Sequence, residues 1–222
     1  MHQQKPKGII KLKKYFFCLL LLCIIVGCKQ KSVNRLPYFN TADFTPVWID
    51  KNSPQLTNLH TISPFLFTDQ NGNTITKKTT NGKIFVANFF FTRCQNICPK
   101  MMDNLKKVAI AFKNDSKILI ISHSVTPYFD NVEVLKKYAT EKGITTKNWH
   151  LVTGKKEEIY KIARLGYFAD TVTSSAISTQ FLHTENFILV DKNGHIRGVY
   201  NGTIDFEVEN LIRHIKLLEL EN

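Results

Sequence analysis

The residues best suited to chemistry are Cys94 and Cys98, separated by three residues in the run Cys94-Gln95-Asn96-Ile97-Cys98-Pro99. At a helix start, cysteines four positions apart lie about one turn from each other, near the roughly 4.4–6.8 Å Cα separation that a disulfide accepts. The same two sulfurs can converge on one metal ion, or exchange with a partner's disulfide, one attacking and the other resolving. The reactive and ligating form is the thiolate. The positive end of a following helix, with Arg93 and Lys100 nearby, predicts a lowered pKa for both thiols. A purely stapling disulfide is the bland alternative, and closing so short a loop removes little denatured-state entropy.

Other candidate donors are weaker. A lone histidine does not specify a ligand. His123, near the end of the apolar run Ile118-Leu119-Ile120-Ile121, is expected to pack or to lie on the surface and is left outside the ligand set. His60, His150, His195 and His214 fall on turns or helices without a partner pattern and are read as solvated. Met101 and Met102 carry soft sulfur, but at the start of an amphipathic helix core packing accounts for them better.

Several elements must position the cysteines. Ile84-Phe85-Val86-Ala87-Asn88-Phe89-Phe90-Phe91 has the length and β-rich composition of a strand buried on both faces. After Pro99, apolar residues at Met102, Leu105, Val108, Ala109 and Phe112 recur at helical spacing, and proline suits a first turn. The cysteines therefore sit at a strand-to-helix junction. The alternation continues with a strand at Ile118–Ile121, a helix at Val132–Tyr138, a strand at Trp149–Val152 and a helix at Glu157–Leu165, which implies a parallel core. Two hairpins are expected, around Asn71-Gly72 and Asn193-Gly194. Val208–Leu220 reads as a closing amphipathic helix with Leu211, Ile212, Ile215 and Leu218 inward. This is a thioredoxin-like order: α/β, with a central mixed sheet flanked by helices and an N-terminal β-hairpin extension.

The N-terminus reads as an export segment. Lys5, Lys7, Lys11, Lys13 and Lys14 precede an uncharged apolar run from Tyr15 to Val26, a basic n-region followed by an h-region. At about 12 residues the run is shorter than the roughly 20 that a membrane-spanning helix needs. Ile25-Val26-Gly27-Cys28 resembles a bacterial lipobox, making Cys28 the expected lipidated residue of an exported, membrane-anchored lipoprotein facing the periplasm or the cell exterior. Residues 1–28 are then a signal peptide, residues 29–57 a tether and N-terminal extension, and residues 58–222 the folded domain. The aromatics of the extension, Tyr38, Phe39, Phe44 and Trp48, are expected to dock on that domain. Cys18 and Cys23 lie in the signal, so Cys94 and Cys98 are the two cysteines left to the domain. Loss of the signal's five lysines lowers the net charge from +12 to +7. The basic residues are scattered, which with export argues against nucleic acid as a partner.

Phe90-Phe91-Thr92-x-Cys94-x-x-x-Cys98-Pro99 resembles the central motif of the Sco/SenC family. Gly82-Lys83, Ser124-Val125 with Pro127 and Asp130, Val134 to Ala139, Trp149 with Leu151 to Gly154, Phe181-Leu182-His183-Thr184 and Phe187 to Asp191 with Gly194 extend the likeness from about Ile62 to Leu220. The resemblance implies a thioredoxin-like fold that binds copper through Cys94, Cys98 and His183, and a metallochaperone that helps assemble the binuclear copper centre of cytochrome c oxidase. Its implied partner is the copper-receiving oxidase subunit, and a monomer is expected. Thiolates suit Cu(I) and an added imidazole suits Cu(II); zinc also fits three ligands with an open position. His183 follows Cys98 by 85 residues and precedes an apolar strand that can bring it back to the cysteines' end of the sheet. One departure is Thr126, where the family commonly has aspartate; Asp130 is retained. The competing function is a thiol–disulfide oxidoreductase using Cys94 and Cys98 as a redox-active catalytic pair, with no need of His183. A peroxidase lacks support, since no Pro-x-x-x-Thr-x-x-Cys arrangement is present.

Overall fold

The apolar run leading into the cysteines forms a strand, Ile84–Phe90 (β5), in which all seven residues are buried. In the computed structural model, which describes residues 35–169 and 184–221, β5 lies at the centre of a mixed sheet. The other strands are Tyr38–Phe39 (β1), Pro46–Val47 (β2), Leu66–Asp69 (β3), Thr74–Thr76 (β4), Ile118–Ser124 (β6), Trp149–Thr153 (β7), Asn186–Val190 (β8) and Ile196–Asn201 (β9). Their order across the sheet is β2-β1-β9-β8-β5-β6-β7-β3-β4. β5, β6 and β7 are parallel, in a register running from Ile84 opposite Ile118 to Phe90 opposite Ser124. β8 pairs antiparallel with β5 and returns as the β8–β9 hairpin, while β3 closes the other side antiparallel to β7. The expected parallel core is present inside a mixed sheet.

Alternation along the central strands divides the apolar residues between two cores. On one face, Val86, Phe90, Ile120 and Leu151 pack against the helices Ile97–Ala111 (α2), Val132–Glu141 (α3) and Asp205–Leu220 (α5). A four-residue turn of helix, Lys77–Thr80 (α1), precedes β5. On the opposite face, Phe85, Phe89, Ile121 and Val152 pack against the β3–β4 hairpin and against Lys156–Lys161 (α4), which continues as a π-helical turn over Ile162–Gly166. Helices thus flank both faces. In α5 the inward positions are Val208, Leu211, Ile215 and Leu218, with Ile212 only half-buried.

Local signals account for the ends of these elements. Both hairpin turns place glycine at positive φ, +80° at Gly72 and +90° at Gly194, a conformation open to glycine without a Cβ penalty. Asp69 reinforces the first turn by accepting from the N–H groups of Asn71 (2.9 Å) and Asn73 (2.8 Å). The Asn131 side chain caps α3, accepting from the N–H of Val134 at 2.9 Å. Pro99 occupies the third position of α2, where no intrahelical N–H bond is lost.

The N-terminal extension joins the sheet itself, since β1 pairs antiparallel with β9 and with β2. Arg197 holds it in place. Its buried guanidinium donates to the carbonyls of Leu36 and Pro37, to Asp191 and to Glu221, and lies 4.0 Å over the Tyr38 ring. Phe44 packs edge-on against Phe39 and Phe168. Trp48 departs from the expected docking. It is 61% exposed, because it follows the two-residue β2 at the sheet's outer edge. Residues 1–34, with Cys28, lie outside the described residues, and among those described no helix is long and apolar enough to cross a membrane.

Candidate metal centre

β5 ends at Phe90, and the chain passes through Thr92 and Arg93 to Cys94 before α2 begins at Ile97, so the predicted strand-to-helix junction carries both cysteines. The N–H of Cys94 closes a turn onto the Phe91 carbonyl at 3.2 Å. Cys98, in the first turn of α2, donates its backbone N–H to the Cys94 sulfur at 3.4 Å. Both cysteines are free thiols. Cys98 is buried in the α2 core, and Cys94 is half-buried at its edge.

The two sulfurs differ in kind, which corrects the expectation that both pKa values fall. Burial alone would raise the Cys94 thiol, but hydrogen bonds from the Cys98 thiol and from the N–H groups of Asn96, Cys98 and Ile97 outweigh it, and the net shift is downward. Cys98 is pushed up to about 12 by burial first and by its hydrogen bond to Cys94 second. The cations named from sequence act elsewhere. Lys100 pairs with Asp205 at 2.8 Å, and the Arg93 guanidinium lies 4.1 Å over the Phe129 ring. The pair therefore sets an outer sulfur that ionises more readily than an ordinary thiol beside an inner one that holds its proton. Given an external two-electron oxidant this arrangement can close to a disulfide, and with the remaining proton released to solvent the two sulfurs could hold a soft cation.

The cysteine loop is tied to the loop after β6. Asp130 is fully buried and its carboxylate accepts from the N–H of Thr92 (3.2 Å), the Thr92 hydroxyl (2.5 Å), the Ser124 hydroxyl (2.6 Å) and the Thr126 hydroxyl (2.9 Å). Thr126, at the position where an acid was expected, is thus a donor to the retained aspartate. Sequence reasoning kept Asp130 but named Thr92 and Ser124 only as parts of matching stretches, with no role for their hydroxyls. The available signal was a pair of small hydroxylated residues at the ends of neighbouring strands.

His183 lies outside the described residues. β8 begins at Asn186, three positions later, and runs antiparallel to β5 with Ile188 opposite Ala87, so β8 starts at the sheet edge where β5 ends. Among the described residues there is no group of three or more His, Cys, Asp or Glu side chains that could hold a metal.

The remaining histidines are resolved by their packing. His123 is fully buried on the face of the sheet opposite Cys98, among Phe89, Phe67 and Tyr167 at ring distances of 5.1, 5.3 and 5.4 Å. Neither ring nitrogen has a partner among the described residues, and burial pushes its pKa down to about 3. It is a packing residue. The other four are corrections to the solvated reading, because each finds a partner distant in sequence. His60 meets the Gly166 carbonyl at 2.7 Å, His150 meets Asp69 at 3.0 Å, His195 meets the His60 carbonyl at 3.0 Å and His214 meets the Tyr200 hydroxyl at 2.7 Å. Met101 and Met102 are buried in the α2 core, as expected.

The model of the SCO1/SenC family matches residues 53–218. Among solved structures, a SCO1/SenC family lipoprotein from Bacillus anthracis superposes with a TM-score of 0.62 at 33% identity, covering 72% of this chain and 95% of that one. BsSco, described as a member of the Sco family of cytochrome c oxidase assembly proteins and as having a disulfide switch, gives 0.60 at 26% identity, covering 72% and 93%. ScoI from Bradyrhizobium japonicum with copper bound gives 0.55 at 25% identity, covering 68% and 98%.

Proposed function

The chain belongs to the SCO1/SenC family, and on that premise we propose that it is a copper-binding metallochaperone assisting assembly of the binuclear copper centre of cytochrome c oxidase. Copper is its cargo, held by Cys94, Cys98 and His183, and the receiving oxidase subunit is its partner. The observation that carries this reading is the thiol pair itself, with the Cys98 N–H 3.4 Å from the Cys94 sulfur at the end of the central strand. Two soft sulfurs that close select Cu(I), and the addition of one imidazole lets the same site hold Cu(II). Three ligands leave a position open for an acceptor. The copper-bound ScoI relative supports the choice of metal.

The same proposal includes the location: a signal peptide over residues 1–28, lipidation at Cys28, a tether and extension over residues 29–57, and the domain from residue 58 to 222 displayed outside the cytoplasm as a monomer. The lipoprotein among the structural relatives supports this arrangement. The oxidoreductase reading uses the same sulfurs, but the three-residue spacer and the copper-bound relative weigh against it.

The test is an anaerobic Cu(I) titration of the reduced chain against a competing chelator, beside Cys98→Ser and Cys94→Ser. One ion per chain, lost in either variant, supports the assignment. No competitive binding, together with rapid disulfide exchange toward a partner peptide, refutes it.

A further inference from the structure

We infer that Asp130 is a positioning residue that locks the cysteine loop in the conformation presenting Cys94 beside Cys98. A buried carboxylate is tolerable when several donors take the place of water, and such charge-assisted bonds are among the stronger ones. Asp130 has four, divided between two loops. Two come from Thr92, two residues before Cys94, and two come from Ser124 and Thr126 at the end of β6.

Asp130 is itself anchored. Its N–H and that of Phe129 both donate to the Thr126 carbonyl, at 3.0 and 2.9 Å, and the next residue, Asn131, caps α3. The last ladder contact before the loops separate is the Val125 N–H on the Phe90 carbonyl at 2.9 Å. Beyond it, the Asp130–Thr92 contacts carry the alignment of β5 with β6 into the cysteine loop. The path from α3 to the thiols runs from Asn131 to Asp130, to Thr92 and on to Cys94. Thr126 fits this role, because its hydroxyl is a fourth donor where a carboxylate would set two anions against each other.

Residues behind a metal's ligands commonly alter affinity by 10–100-fold when replaced. The copper arm of the test rests on the function proposed above, so a second arm uses no metal. The chain is prepared as wild type, Asp130→Asn, Thr92→Val and Thr126→Val. Each is equilibrated with glutathione and its disulfide to obtain the effective concentration of the Cys94–Cys98 pair, then titrated with Cu(I).

Asp130→Asn and Thr92→Val are expected to lower the effective concentration roughly fivefold and the Cu(I) affinity roughly tenfold. Thr126→Val, which removes a donor of the β6 loop and leaves both Thr92 contacts in place, is expected to change each by less than about twofold. If Asp130→Asn does not fold, Thr92→Val decides alone. Folded Asp130→Asn and Thr92→Val with the wild-type glutathione equilibrium would overturn the inference. If the wild type takes up no copper while the glutathione arm still separates the variants, positioning stands and the metal reading falls.

Discussion

Replacing His123 with leucine should stabilise this protein, and by more at acid pH than at neutral pH. The imidazole is fully buried among Phe67, Phe89 and Tyr167 with both nitrogens unpartnered among the described residues, and an unpaired buried polar group costs about 1–3 kcal/mol. Leucine has a similar volume and no polar atoms, so the gain at pH 7 should fall in that range. The pH dependence has a definite sign. Burial lowers the folded-state pKa to about 3 from 6.5. Between these values the unfolded chain takes up a proton that the native state refuses, so the stability difference grows as pH falls through 6.5 and levels off below about 3. Each pH unit within that window is worth about 1.4 kcal/mol. Going from pH 7 to pH 4.5 should therefore cost the wild type roughly 2–3 kcal/mol more than His123→Leu, while the carboxylate contributions common to both cancel. Urea unfolding followed by far-UV circular dichroism at pH 7, 5.5 and 4.5, on a chain starting at Lys29, measures both quantities. Parallel stability curves, or a variant weaker than wild type at every pH, would refute the reasoning.

The asymmetry of the thiols predicts that iodoacetamide modifies Cys94 first near neutral pH and reaches Cys98 only slowly, since the half-buried Cys94 has its pKa lowered while Cys98 is buried and raised; peptide mass mapping reads the order, and the reverse order contradicts it. Arg197→Ala should destabilise the fold by about 3–5 kcal/mol, because it takes the cation from the nearly buried Asp191 and frees the carbonyls of Leu36 and Pro37. The same urea assay measures the loss, and a change under about 1 kcal/mol would show that the extension is not anchored there.

Much of the architecture could be read before any coordinates because its signals are local. The all-apolar run of β5, the Asn-Gly pairs of the two hairpins and the periodic apolar face of α2 each specify an element through nearby residues. The junction that carries Cys94 and Cys98 followed from two such elements meeting. What was not legible depends on partners far along the chain. β1 is two residues long and becomes a strand by pairing with β2 and, across the chain, with β9. His60 finds its acceptor at Gly166, 106 residues away. The pKa of Cys98 was misjudged for a related reason. Helix position and nearby cations are visible in sequence, whereas the depth of burial that dominates the thiol is a property of the packed core. Asp130 was visible as a retained acid, but its four donors come together only when β5 and β6 lie side by side.

The most direct test of the central claim is the electron paramagnetic resonance spectrum of the Cu(II)-loaded chain beside that of His183→Ala, each prepared at one equivalent of metal. The account predicts a single copper species with strong thiolate covalency and nitrogen hyperfine structure, and loss of the nitrogen coupling when His183 is replaced. Identical spectra from the two proteins, or a wild-type spectrum without nitrogen coupling, would contradict a site built from Cys94, Cys98 and His183.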